Sequence, residues 1–141
     1  MLQTVLAFDF GRRRIGVAVG QSVTGSASPI GVVDNYATGP DLDKVAALIA
    51  EWRPSLLVVG MPAHADGSPS DMQNYVRQFI ELLEQFELPI DTVDERFTSI
   101  EAEAKLKDAR IAGARGRISK ESIDSAAAVL IAERYLAAHK N

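Results

Sequence analysis

The 141-residue sequence contains no cysteine, and none of its apolar stretches approaches the roughly 20 residues that a membrane-spanning helix needs. Without cysteine, disulfide bonds and thiolate metal sites are excluded, so any metal ion must be held by oxygen ligands or by the two histidines. The absence also fits a reducing compartment. Because the first residues show no basic segment followed by a cleavage site, we expect a cytoplasmic protein without a signal peptide or a membrane partner.

An overall excess of positive charge, which is usual for nucleic-acid-binding domains, is also missing, since the formal net charge is -4. The charges are unevenly distributed, however. Residues 1–33 and 95–141 each carry a net positive charge, and the segment between them is strongly acidic. A protein of this kind can still attract a polyanion to one face. The length and the 47% of hydrophobic residues fit one globular domain over residues 1–141.

Hydrophobic periodicity predicts an α/β fold. We predict strands at residues 5–8, 15–19, 27–33, 56–59 and 90–93, and helices starting near residues 38 and 68 and spanning 98–111 and 119–138. Pro29 suggests that the third strand lies at an edge or contains a bulge. The last two strands each follow a helix, so right-handed crossovers place them parallel to the first strand. The expected architecture is a mixed five-stranded sheet, three antiparallel strands then two parallel ones, covered by helices.

Asp9 ends an apolar run that is typical of a strand buried on both faces. An unpaired charge there would cost several kcal/mol, so we expect a cation, hydrogen-bond donors or an open cleft beside it. Arg12, Arg13 and Arg14 follow in a tight turn. A capped turn with solvated charges explains this stretch equally well when it is taken alone.

Further acids stand at two other predicted element ends, with Asp94 and Glu95 after the last strand and Asp124 near the start of the last helix. The carboxyl ends of parallel strands meet at one sheet edge, so we expect acids from the strand ends to meet there. Each acid also has a simpler explanation when it is considered alone. Asp124 could stabilise the start of the last helix by interacting with the helix dipole. Glu95 could form a surface ion pair with Arg96. Three converging carboxylates would instead need divalent cations, and oxygen ligands select Mg²⁺ or Mn²⁺. Such clusters serve two-metal phosphoryl transfer.

An ordered set of motifs across almost the whole chain resembles the YqgF family. The motifs are Asp9-Phe10-Gly11 with Ile15-Gly16-Val17-Ala18, Gly60-Met61-Pro62 with Asp66-Gly67, Asp94-Glu95-Arg96 with Thr98 and Ser99, and Asp124 followed by alanines. This family is described as pre-16S ribosomal RNA nucleases and resembles Holliday junction resolvases of the RNase H fold. The resemblance implies that Asp9, Glu95 and Asp124 are the catalytic acids and the metal ligands.

Two features of the resemblance leave alternatives open. RNase H-like sites often contain a fourth acid, for which only Asp94 or Glu121 is available. Neighbours in a strand point to opposite faces, so Asp94 and Glu95 should not both line the site, and we favour Glu95. His64 stands where asparagine is more common in the family. We interpret it as a solvated loop residue, with contact to substrate or a part in proton transfer as the less favoured alternative.

Six arginines are candidates for positioning the backbone phosphates of a nucleic acid. They are Arg12, Arg13, Arg14, Arg96, Arg115 and Arg117. For the last two, on a predicted basic glycine loop, solvated surface charge is an equally good interpretation.

We therefore expect a two-metal nuclease, a hydrolase acting on phosphodiester bonds, that matures the 5′ end of the 16S ribosomal RNA precursor. The alternatives are a resolvase acting on branched DNA and a non-catalytic protein that binds RNA or a transcription complex. ATPases of the sugar-kinase or actin type open with a similar hairpin, but they need two lobes and this chain has no Walker lysine motif. Nucleic acid is the expected partner, and a homodimer is left open.

Overall fold

A computed structural model gives the structure of residues 3–62, 71–94 and 120–139, with side chains from residue 125 onward in the last range. Six strands are described: β1 (Thr4–Asp9), β2 (Arg14–Gln21), β3 (Ser26–Tyr36), β4 (Gly39–Pro40), β5 (Leu56–Met61) and β6 (Ile90–Asp94). The described helices are α1 (Leu42–Trp52), α2 (Met72–Leu83), which continues into a 3-10 turn (Glu84–Phe86), and α3 (Lys120–Ala138). No helix within these ranges is both long and apolar enough to cross a membrane.

The strands form one mixed sheet in the order β4-β3-β2-β1-β5-β6. The first four strands pair antiparallel with one another, while β5 is parallel to β1 and β6 is parallel to β5. Short turns join the antiparallel strands, and α1 and α2 lie in the connections to β5 and β6. The predicted α/β architecture, with antiparallel strands followed by parallel ones, is therefore confirmed.

In the described part of the chain the sheet has six strands, whereas the sequence predicts five. The additional strand comes from the predicted helix start at residues 38–41, where Gly39 and Pro40 pair with Tyr36 and Asn35 of β3. Gly39 has a φ of 124°, a conformation that favours glycine and lets the chain turn back on β3. Of residues 38–41, only Asp41 acts as a helix start. Its carboxylate accepts a hydrogen bond from the backbone N–H of residue 44 and caps α1.

β3 contains the predicted irregularity. Val17 of β2 pairs with Gly31, whereas Ala18 pairs with Pro29, so Ile30 is an extra residue in β3. Proline has no N–H to donate to a ladder, and a bulge at this point accommodates that loss. The prediction of an edge or a bulge at Pro29 is confirmed as a bulge.

The core is divided by the sheet into two layers. Leu6 and Phe8 of β1 are fully buried in the layer that also contains residues of α1 and α2. Val5 and Ala7 point to the other face and pack with residues of α3 that include Ile131. This alternation follows from the two-residue period of a strand, and it assigns every residue of β1 to one of the two helical layers.

The helices α2 and α3 each bury a set of residues that recur at the helical spacing. In α2 these are Val76, Phe79 and Leu83, and in α3 they are Ala127, Leu130, Ile131 and Tyr135. The predicted helix start near residue 68 and the predicted helix over residues 98–111 lie outside the described residues.

Replacing Ile131 should show how much the layer of α3 contributes to stability. Ile131→Ala removes a fully buried side chain from the face that packs on β1, so the free energy of unfolding should fall by about 2–5 kcal/mol in urea titrations. Val23→Ala is the control, because Val23 is 64% exposed and its loss should change stability by no more than about 0.5 kcal/mol. If the two substitutions lower the free energy of unfolding equally, the described packing of α3 on the sheet is contradicted.

Candidate active site

Asp9 is the last residue of β1, and its position on the sheet follows from the strand's alternation. Val5 and Ala7 face α3, so Asp9 continues that face at the carboxyl end of the strand. Asp9 is half-buried and lies opposite Gly16 of β2. The predicted catalytic acid thus lies at the rim of the α3 layer, where the sheet opens toward solvent.

Three parallel strands end at this edge. Phe8 of β1 pairs with Val59 of β5, and Met61 at the end of β5 pairs with Asp94 at the end of β6. Because β5 lies between them, β1 and β6 are about 10 Å apart, twice the usual strand spacing. Side chains from β1 and from the end of β6 can therefore approach a common space at the edge without direct contact between the two strands.

The alternation in β6 separates the two neighbouring acids that follow the core of the strand. Ile90 packs in the layer of α1 and α2, and Val93 packs in the layer of α3. Asp94 therefore belongs to the same face as Ile90, which is opposite to the face of Asp9. This placement argues against Asp94 as a partner of Asp9 and supports the choice of Glu95, a residue that lies outside the described part of the chain.

Helix α3 is oriented with its N-terminal part toward Asp9. The Ser125 hydroxyl donates a hydrogen bond of 3.3 Å to the carbonyl oxygen of Gly31. Gly31 pairs with Val17, which is next to the β2 partner of Asp9. The backbone of Asp124 directly precedes Ser125 in this helix, so α3 brings that position to the same end of the sheet as Asp9.

The predicted basic turn is tight and is tied to β3. The Asn35 side-chain amide donates a 2.8 Å hydrogen bond to the carbonyl of Gly11, and the Asn35 backbone N–H donates a 2.9 Å bond to the carbonyl of Arg13. A Cβ on Gly11 would collide with the carbonyl oxygen of Arg14, so this turn needs glycine. Arg13 is exposed in this turn, between Asp9 at the end of β1 and the start of β2.

Arg12 leans away from the α3 face and onto α2. Its guanidinium lies 4.9 Å from the centre of the Tyr75 ring and donates a 3.2 Å hydrogen bond to the Tyr75 hydroxyl. Tyr75 was missed from the sequence, because it stands at the edge of the apolar stripe of α2, where helical periodicity does not distinguish an exposed residue from a core residue. Tyr36, at the end of β3, is a second exposed aromatic that was missed.

Arg14, a further predicted site residue, begins β2 and pairs with Asp34 of β3. The predicted residues that lie outside the described ranges are Glu95, Arg96, Arg115 and Arg117, together with His64. Among the side chains that are described, no group of three or more His, Cys, Asp or Glu residues could hold a metal ion. Of the three predicted ligands, the described side chains include only that of Asp9.

Comparison with known proteins gives a match to one family model over nearly the whole chain. The model described as "RuvX: Holliday junction resolvase" matches residues 3–138. This match confirms the resemblance to the YqgF family that the motifs indicate.

Curated relatives from two bacterial genera are similar to this chain. A Burkholderia lata protein named "Putative pre-16S rRNA nuclease" is 46% identical over 134 residues, which cover 94% of this chain and 88% of the relative. A protein of the same name from Burkholderia cenocepacia is 44% identical with the same coverage. One from Paraburkholderia xenovorans is 42% identical over 94% of this chain and 87% of its own length.

Solved structures support the fold. Thermus thermophilus RuvC in complex with a Holliday junction substrate matches 98% of this chain and 97% of its own, with a TM-score of 0.55 and 17% identity. The yeast mitochondrial Holliday junction resolvase Ydc2 matches 94% of this chain and 77% of its own, with a TM-score of 0.52 and 12% identity. At these identities the comparison shows a shared resolvase-like fold.

Asn35→Ala should loosen the basic turn. Losing the side-chain hydrogen bond to Gly11 should lower the free energy of unfolding by about 0.5–1.5 kcal/mol and speed amide hydrogen exchange around residues 12–14. Asn74→Ala is the matched control, since Asn74 is exposed and its described hydrogen bond, from Arg77, is 3.5 Å long. If exchange in the turn is the same in both variants, Asn35 does not hold it.

Proposed function

Because the chain belongs to the RuvX family of Holliday junction resolvase-like proteins, we propose that it hydrolyses phosphodiester bonds of nucleic acid at Asp9, Glu95 and Asp124. The observation that carries the choice of site is the position of Asp9. It ends β1 on the face covered by α3, and the N-terminal part of α3 lies toward the same end of the sheet.

The helical period supports Asp124 as a member of this site. Residue 124 precedes Ala128 by four positions, Ile131 by seven and Tyr135 by eleven, and these spacings lie on one side of a helix. Ala128, Ile131 and Tyr135 are all buried, and the last two pack with β1 and β5. Position 124 therefore belongs to the side of α3 that covers the sheet, at the end of the helix nearest to Asp9.

The proposed cofactor is a pair of Mg²⁺ or Mn²⁺ ions. The proposed ligands are carboxylates only, the hard oxygen donors that these ions prefer, and the chain has no cysteine to select a softer metal. Bound there, the ions would polarise the phosphate and stabilise the attacking and leaving oxygens. Arg12 and Arg13 of the neighbouring turn would bind backbone phosphates and set the position of the strand, as would Arg14, Arg96, Arg115 and Arg117.

The proposed substrate is the 16S ribosomal RNA precursor, at its 5′ end. Support comes from relatives of that name with 42–46% identity over 94% of this chain. The cytoplasm is the proposed compartment, since these precursors are made there and the cysteine-free sequence fits a reducing environment. Mapping the 5′ and 3′ ends of ribosomal RNA precursors in cells depleted of the protein tests this substrate directly, and unchanged ends would exclude it.

Resolution of branched DNA is the second candidate, and the description of the family model favours it. Symmetric cleavage of a four-way junction needs two copies of the site, so a homodimer belongs to this candidate. The same protein preparation, offered a synthetic junction and an RNA precursor in parallel, discriminates between the two substrates. Binding of either without cleavage would instead favour a non-catalytic binding protein.

Asp9→Asn should lose metal-dependent cleavage of single-stranded or junction-proximal nucleic acid. Removing a charge that stabilises the transition state costs at least about a hundredfold in rate, and a chelator should abolish cleavage by the parent protein. Gel assays with Mg²⁺, with Mn²⁺ and with chelator measure both effects.

The matched control is Asp91→Asn, because Asp91 is also a strand aspartate near α3, but it lies near the start of β6, away from the edge where Asp9 ends β1, and is 3.8 Å from His139. Its loss should leave cleavage within about twofold of the parent rate, since it is remote from the proposed site. Full activity of Asp9→Asn, or of the parent in chelator, would refute the proposal.

Thermal melts test the metal site without any knowledge of the substrate. In chelator, Asp9→Asn should be at least as stable as the parent, because it relieves repulsion among the proposed carboxylates while keeping their shape. Mg²⁺ at a hundredfold excess over its Kd should stabilise the parent by about 2.7 kcal/mol and the variant by much less. If Mg²⁺ shifts both melting temperatures equally and the variant melts well below the parent in chelator, Asp9 has a structural role instead.

A further inference from the structure

A groove of about 430 Å³ lies on the side of the sheet opposite to α3, between α2 and the turn from β3 to β4. Phe10 and Phe79 line it, together with the exposed rings of Tyr36 and Tyr75 and the side chain of Arg12. Its volume is within the range of about 300–1,000 Å³ that is typical of small-molecule sites. The proposed catalytic residues do not account for this groove.

The apolar part of the groove is built rigidly. The Phe10 and Phe79 rings are 5.4 Å apart, and Phe79 also contacts Phe8 of β1, edge to face, at 5.6 Å. Phe79 is only 1% exposed, so it is anchored in the core. A flat apolar ligand would therefore meet a surface that does not have to rearrange.

The groove also offers an exposed ring and a fixed cation. Tyr36 is 57% exposed, so much of its ring surface is accessible to a ligand in the groove. Tyr75 carries the Arg12 guanidinium over its ring, so Tyr36 is the ring with more free surface. Arg12 brings a positive charge to the groove, three residues after Asp9.

Acidic groups define which end of the groove can accept an anion. The Tyr36 hydroxyl donates a 3.5 Å hydrogen bond to Asp34, and the negative charge of Asp34, with Asp41 beyond it, raises the pKa of Tyr36 above its usual value. Tyr36 is thus a neutral phenol at physiological pH. A negatively charged group of a ligand is expected on the Arg12 side, and an uncharged ring beside Tyr36.

We propose that this groove binds an unpaired nucleobase of the nucleic-acid strand, stacked on Tyr36, with an adjacent phosphate on Arg12. The inference rests on the proposed nuclease function and adds a subsite to it. A flat ring with a phosphate a few ångströms away is the chemistry that an exposed aromatic and a nearby guanidinium recognise. Only an unstacked base fits, because a base inside a duplex has both faces covered by its stacked neighbours.

The chain connects this groove directly to the proposed catalytic edge. Phe10 follows Asp9, yet Asp9 belongs to the α3 face and Phe10 packs with the core on the α2 side. A strand with one base in the groove would therefore pass around the edge of the sheet to reach Asp9. The groove would hold a nucleotide close to the cleaved bond and select for substrates that are single-stranded there.

Tyr36→Ala tests the subsite in a binding assay that needs no cleavage. Fluorescence anisotropy in chelator compares a labelled ten-nucleotide single strand with an abasic strand of equal length and charge. Because stacking on an aromatic residue contributes about 1–3 kcal/mol per base, Tyr36→Ala should weaken binding of the first strand about fivefold to a hundredfold. Binding of the abasic strand should stay unchanged, since its phosphate contacts remain.

Two variants control for indirect effects. Tyr36→Phe keeps the ring and loses only the hydroxyl, so it should retain the parent's preference for the strand with bases. Val23→Ala removes another exposed apolar side chain at the β2–β3 turn and should not alter either affinity. Cleavage by Tyr36→Ala should show a raised KM with little change in kcat.

An equal preference for bases in the parent and in Tyr36→Ala, or no preference in the parent, would overturn the subsite. Because the assay runs in chelator, its outcome is separate from the cleavage assays on Asp9→Asn. A base preference that depends on Tyr36 in a protein without nuclease activity would support the groove while refuting the proposed function. If the protein cleaves nucleic acid but Tyr36→Ala does not change its preference for the strand with bases, the proposed function is supported and the subsite is refuted.

Discussion

The close packing of α3 on one face of the sheet is the constraint on which the candidate site depends. Gly20 of β2 has no side chain at the contact, and a Cβ there would stand 3.1 Å from a methyl carbon of Leu136 and 3.3 Å from the Cβ of Ala132. Small residues thus let the helix lie against the strands. Its path, from Leu136 near Gly20 to Ser125 near Gly31, brings the start of the helix to the edge where Asp9 ends β1.

The second constraint is the two-residue period of the strands, which divides the edge into two chemically different sides. Asp9 continues the α3 face, whereas Asp94 continues the face of α1 and α2. One side of the edge therefore carries Asp9, and the other carries the aromatic groove with Arg12. A strand of nucleic acid that contacts both sides would be held at a base and at a phosphate near the site of reaction.

Much of this arrangement could be predicted from the sequence, because buried strands are continuous apolar runs and amphipathic helices show their period. The parallel order of β5 and β6, the bulge at Pro29 and the tight turn after Asp9 followed from connection lengths and residue chemistry. The strand β4 could not, since Gly39 and Pro40 have low β-propensity and two residues are too few to show an alternation. Tyr36 and Tyr75 were missed for a different reason, because exposure depends on neighbours that are distant in sequence.

The hydrogen bonds of Asn35 affect how the loss of conformational entropy on binding is shared between the protein and the nucleic acid. It bonds the turn after β1 at two carbonyls while its own strand continues into the groove. The arginine turn and the aromatic surface are consequently joined as one preformed unit. The conformational entropy lost on association would then fall mainly on the flexible nucleic acid, so substrates that are already bent or unpaired at this point would bind more tightly than those that must first be opened.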